Sequence, residues 1–103
     1  MTEFKRQAVT RPPTHPGAIL REDVLPGLDI SKVEFARSIN VSRQMLYDIL
    51  NESRPITTGM ALRLAKALGG SPNVWVGMQQ KYDLFYHALD MADVLEDIQP
   101  IAI

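Results

Sequence analysis

The sequence contains no cysteine, which excludes disulfides, thiolate metal sites and cysteine nucleophiles. Its only histidines are His15 and His87. No second ligand or nucleophile stands at an interpretable spacing to either, so no metal site, cofactor or catalysis is expected. The adjacent carboxylates Glu22 and Asp23 read as a solvated pair at a helix end. Long apolar runs are missing too. None approaches the ~18 residues of a membrane span, and the polar Met1–Thr10 segment does not read as a signal peptide. A soluble, cytoplasmic, non-enzymatic protein without membrane contact is the expectation. Nor is there a large excess of either charge: the formal net charge is −1, against the basic surface that indiscriminate nucleic-acid binding requires.

What remains is one small domain of 103 residues, 46% of them hydrophobic, of a size often helped by self-association. Its charges are unevenly distributed. The first 21 residues hold Lys5, Arg6, Arg11 and Arg21 against Glu3 alone, whereas Asp83, Asp90, Asp93, Glu96 and Asp97 follow residue 82 with no Lys or Arg. A basic beginning that faces nucleic acid and an acidic end that faces elsewhere fit this asymmetry.

The most informative stretch is Ser31–Leu50. Ser31 and Glu34 form a capping box, and Phe35, Ala36 and Ile39 supply the apolar face of a short helix. Asn40-Val41-Ser42 then interrupts the pattern. Asn tolerates the left-handed backbone that a tight turn needs, and Ser42 is a good N-cap for the next helix. Leu46, Ile49 and Leu50 give that second helix a buried stripe, leaving Ser42, Arg43, Gln44, Tyr47 and Asp48 outward. Helical periodicity alone would favour two helices of an ordinary bundle. The cap, the small Ala36, the turn and the polar outer face agree in one register, and together they predict a helix-turn-helix over residues 31–50.

Around it the reading is all-α. Residues 1–14, ending in Arg11-Pro12-Pro13, are expected to be a flexible basic arm. Residues 15–88 form the helix-turn-helix domain. Its first helix begins near Pro16, is buried through Ile19, Leu20, Val24 and Leu25, and stops at Pro26-Gly27. A fourth helix, capped by Thr57 or Thr58, turns Met60, Ala61, Leu64, Ala65 and Leu68 inward and ends at Gly69-Gly70. A fifth begins at Ser71-Pro72 and is expected to bury Val74, Trp75, Met78, Tyr82, Phe85 and Leu89, with Trp75 as a core anchor. Residues 89–103 form a C-terminal extension whose Val94, Leu95, Ile98, Ile101 and Ile103 are left over once the core is filled. These suit a dimerisation segment. A homodimer is expected in any case, because one recognition helix reads only a few base pairs.

Several motifs, in order, carry a resemblance: His15-Pro16-Gly17-Ala18-Ile19-Leu20, Ser42-Arg43-Gln44, Arg54-Pro55-Ile56-Thr57 and Met60-Ala61-Leu62-Arg63-Leu64-Ala65. Leu68-Gly69, Ser71-Pro72-Asn73-Val74-Trp75 and Gln79…Tyr82-Asp83-Leu84 complete the set. Over about residues 15–84 the chain resembles the HigA/VapI-type antitoxins, Cro/CI-type helix-turn-helix proteins of the λ-repressor-like fold. The resemblance implies a five-helix domain and a dimeric repressor of its own operon. It also implies neutralisation of a RelE/HigB-like ribonuclease toxin by direct binding. The alternative is an orphan or phage-derived repressor without a toxin partner.

The residues expected at double-stranded operator DNA are Ser42, Arg43, Gln44, Tyr47, Asn51 and Arg54. Arg43 and Gln44 suit guanine and adenine edges. Ser42 and Arg54 are read as phosphate contacts, and Tyr47 as a contact to a thymine methyl or a phosphate. The chain departs from the family pattern by placing Asn51-Glu52 where Asn-Gly is usual, and Asp48 on the recognition helix, which sets two acids near the expected phosphate path. For a toxin, the N-terminal arm with the first helix is the expected contact, ahead of the acidic C-terminal segment.

Overall fold

The computed structural model describes residues 11–102, and within them the chain is helical without a strand. The first helix starts as α1 (Pro16–Ile19). It widens into one π-helical turn over Leu20–Val24 and tightens to a 3-10 turn over Leu25–Gly27, ending as expected at Pro26-Gly27. Leu20 and Leu25 are buried, and Val24 packs against the core. Residues 11–14 precede it without helix; the rest of the expected basic arm lies outside the described residues.

α2 (Lys32–Ser38) carries the predicted capping box. Glu34 N–H donates to Ser31 Oγ (3.1 Å), and Ser31 N–H donates to Glu34 Oε1 (3.2 Å). The turn after it is built on Asn40 at φ 60°, with Val41 N–H donating to the Ala36 carbonyl and Asn40 N–H to that of Arg37. This is the left-handed closure that Asn permits. α3 (Arg43–Leu50) follows, capped by Ser42 Oγ, which accepts from Met45 N–H at 3.0 Å. α4 (Thr58–Leu68) is capped by Thr57 and stopped at Gly69 (φ 88°). α5 (Pro72–Asp90) begins on Ser71, and after a break at Met91 comes α6 (Ala92–Asp97).

The core is one cluster drawn from α1 to α5, with Phe35, Leu20, Leu46, Ile49 and Leu64 wholly enclosed and Trp75 closing it from α5. Two residues expected inside are not. Val74 is 58% exposed and Leu89 60%. The buried line of α5 runs from Trp75 to Gln79, one helical turn apart, so Val74, one residue earlier, is rotated about 100° out of it. Leu89 lies where α5 has outrun the rest of the body. Gln79 itself, a polar residue, is buried: its Oε1 accepts from Ile56 N–H at 2.8 Å, and its Nε2 donates to Asp83 at 3.0 Å. The loop between α3 and α4 is thereby fastened to α5.

Between α1 and α3 the backbones approach closely at Gly17. A Cβ at Gly17 would stand inside van der Waals contact of the Ile49 carbonyl oxygen and 2.9 Å from its carbon. Backbone meets backbone there, so no flexible side chain can yield. Gly17→Ala is therefore expected to cost roughly 2–3 kcal/mol or more by overpacking, lowering the thermal midpoint by on the order of 10 °C or more. Calorimetry checks this; a midpoint within about 2 °C of the parent would contradict so close an approach.

Candidate nucleic-acid interface

The outward face of α3 and the loop after it bring together the six residues expected at DNA. Ser42, Arg43 and Gln44 are exposed at the N-terminal end of the helix. Tyr47, one turn on, is only half-exposed: its ring packs against the core, and Lys32 Nζ stands over it, 6.0 Å from its centroid. Asn51 is the exposed C-cap, its N–H donating to the Tyr47 carbonyl. Arg54 folds back alongside α3, with Nη2 3.5 Å from Asp48 Oδ2.

The two acids of this surface are both engaged. Asp48 Oδ1 accepts from Gln44 Nε2 at 2.8 Å while Oδ2 faces Arg54. Glu52 stands at φ 65°, a left-handed conformation that costs a non-glycine residue about 1 kcal/mol or more. Its carboxylate turns toward the π-helical turn after α1, where Oε2 accepts from Arg21 Nη1 at 3.2 Å. The same Nη1 donates to the Leu50 carbonyl at 2.6 Å, satisfying an orphan acceptor at the end of α3. Arg21 thus ties the first helix to the end of the recognition helix, a role that sequence reasoning missed. Gln79, which holds the loop carrying Arg54, was missed as well; the only local signal was Asp83 four residues on.

Behind α3, His15 is the N-cap of α1. Its Nδ1 accepts from Gly17 N–H at 2.8 Å, which requires the neutral imidazole with its proton on Nε2. Tyr82 meets the ring edge-on at 4.8 Å. Burial pushes the His15 pKa below its ordinary value, against smaller opposing effects of the Glu52 and Asp83 charges. Among the described residues no group of three or more His, Asp or Glu is placed to hold a metal ion, and no helix is long and apolar enough to cross a membrane.

Two short helices joined by a left-handed turn, the second with hydrogen-bonding side chains free at its start and its back sealed to a helical body, define a helix-turn-helix protein. The helix-turn-helix family model matches residues 20–75. The virulence-associated protein I of Dichelobacter nodosus is 41% identical over 73 residues, covering 71% of this chain and 68% of that protein. The HTH-type transcriptional regulator YbaQ of Escherichia coli K12 is 38% identical over 76 residues, 74% of this chain and 67% of its own length. Among solved structures, the Pseudomonas aeruginosa antitoxin HigA with the higBA promoter superposes with a TM-score of 0.81 at 34% identity, over 89% of this chain and 100% of that one. The chain belongs to the Cro/CI-type helix-turn-helix family, alongside HigA- and VapI-type proteins.

The buried cap sets a pH dependence. Because the folded pKa of His15 is depressed, the unfolded chain takes up a proton first as pH falls. The stability is fully present above about pH 6.5 and declines below it, down to the folded pKa. His15→Asn keeps a side-chain acceptor for the cap and removes the titration. Denaturant midpoints between pH 7.5 and 5 are expected to fall more steeply for the parent than for His15→Asn; parallel curves would refute the assignment.

Proposed function

We propose that this chain is the antitoxin of a type II toxin–antitoxin pair, a cytoplasmic homodimer that represses its own operon and neutralises a RelE/HigB-like ribonuclease by direct binding. The observation that carries the reading is the superposition, over nearly the whole described chain, on an antitoxin solved with its promoter, combined with a polar recognition-helix start that is free of the core. In this reading Arg43 and Gln44 meet base edges. Ser42, Tyr47, Asn51 and Arg54 contact or frame the phosphate backbone. Residues 15–88 form the DNA-binding domain. For the toxin we propose the arm of residues 1–14 with the first helix; residues 1–10 lie outside the described region.

A second reading has its own support, since YbaQ is a transcriptional regulator by name: an orphan repressor without a toxin. Co-expression with the adjacent reading frame separates the two. A stable complex that copurifies and suppresses the neighbour's toxicity, together with specific retardation of the chain's own upstream DNA, is the expected outcome. Operator binding with an inert neighbour would establish the orphan repressor instead.

The dimer is supported by what α5 and α6 leave uncovered. Leu89, Met91, Val94, Leu95, Ile98 and Ile101 are all exposed in the single chain, a run of large apolar side chains close in sequence, of the kind that self-association covers. A two-fold pair also sets two recognition helices about one DNA turn apart. A chain ending at Ala88 is expected to stay folded but to be monomeric by light scattering, and to bind operator more weakly. A truncated chain that remains fully dimeric would move the interface elsewhere.

A further inference from the structure

Asp48 lies one turn beyond Gln44 on α3, and its carboxylate is shared between two of the residues assigned to DNA. Oδ1 accepts from Gln44 Nε2 at 2.8 Å; Oδ2 stands 3.5 Å from Arg54 Nη2. Its backbone carbonyl also accepts from Ser53, from the N–H at 2.9 Å and the hydroxyl at 3.1 Å. The turn that returns Arg54 to the helix is thus fastened to the same residue. The side chain is only 27% exposed, so these bonds are partly sheltered from water.

An ionised carboxylate can only accept hydrogen bonds. Gln44 must therefore turn its amide nitrogen toward Asp48, where one of its two hydrogens is engaged in a charge-assisted bond. That fixes the amide plane and leaves the carbonyl oxygen Oε1 directed away from Asp48. A free glutamine can present either end of its amide to a base edge, whereas this one presents Oε1 with only the second Nε2 hydrogen beside it. In the major groove an acceptor is met by the exocyclic amine of adenine or cytosine. Guanine and thymine offer only acceptors there: the second Nε2 hydrogen can still donate to them, but Oε1 is left unpaired.

We propose that Asp48 is a specificity-determining positioning residue. By holding the Gln44 amide in one orientation, it makes Gln44 select an amine-bearing base, adenine or cytosine, over guanine or thymine at one operator position. The inference rests on the DNA-binding reading above, and Asp48 itself touches no base in it. Electrostatic repulsion alone gives a different expectation. A carboxylate that merely repels phosphates weakens binding to every sequence alike, and its removal strengthens binding to every sequence alike.

The test is selection from a library of the chain's own upstream operator, randomised through one half-site, using the full-length protein and its Asp48→Ala, Asp48→Asn and Gln44→Ala variants. Gln44→Ala identifies the position that Gln44 reads. There the parent is expected to prefer adenine or cytosine by roughly 5- to 100-fold. In Asp48→Ala the Gln44 amide is free to turn over, and the four bases should come within about threefold of one another, with preferences elsewhere kept. Asp48→Asn, which can accept from or donate to Gln44, should do the same. It carries the test should Asp48→Ala fold poorly by its thermal midpoint. The proposal is overturned if both Asp48 variants keep the parental preference at that position, even if affinity for all sequences rises by a common factor. It is equally overturned if the parent selects guanine or thymine there. A parent with no sequence preference anywhere would sink the DNA-binding reading itself, and this inference with it.

Discussion

Gly17 is where two backbones touch. The first turn of α1 lies against the Ile49 carbonyl in the last turn of α3, a distance of approach that only a residue without a Cβ allows. Two further contacts share this seam. His15, two residues before Gly17, caps α1 through Nδ1, and Arg21, four residues after it, reaches the Leu50 carbonyl. The recognition helix is consequently held from behind, at its C-terminal end, by groups that leave its polar front untouched. A reading surface needs such a division, because side chains that must meet a rigid duplex gain from a scaffold that does not move with them.

The second support is polar and lies deeper. Gln79 joins the Ile56 amide to Asp83 across the α3–α4 loop and α5, satisfying a buried backbone donor that would otherwise cost about 1–3 kcal/mol. Because Arg54 precedes Ile56 by two residues, this one bond also fixes the loop from which Arg54 folds back. α1 thus steadies the end of the recognition helix, while α5 steadies the loop after it. The part of α5 beyond this latch, with α6, serves neither task, and its apolar side chains remain open.

What was legible in the sequence is what is decided over three to five residues. The capping box of Ser31 and Glu34, the left-handed Asn40, and the caps at Ser42, Thr57 and Ser71 all follow from neighbours in sequence, and with them the helix boundaries. The six candidate site residues fall on one surface for the same reason, since five of them occupy one helix and its two caps. Sequence reasoning failed where the partner is remote. Arg21 and the Leu50 carbonyl are separated by 29 positions, and Gln79 and Ile56 by 23, so no local pattern announces either contact. Val74 and Leu89 were misplaced because periodicity gives a stripe but not its exact bearing, nor how far along a helix the neighbouring body extends. Glu52 and Asp48 read as acids near the expected phosphate path; that their carboxylates are occupied by Arg21, and by Gln44 and Arg54, was not legible.

The pairing of Arg54 with Asp48 bears on how the chain responds to ionic strength. Any phosphate that takes Arg54 first has to part it from a carboxylate 3.5 Å away. Added salt weakens both partnerships, since both are ion pairs at or near the surface. If Arg54 takes a phosphate, as proposed above, its guanidinium would reach DNA already paired with a carboxylate, and its transfer would displace fewer counterions than that of a free cation. A count of phosphates taken from the slope of affinity against salt would, in that reading, fall short of the number the protein touches. The shortfall is a contact within the protein, exchanged for one with the duplex.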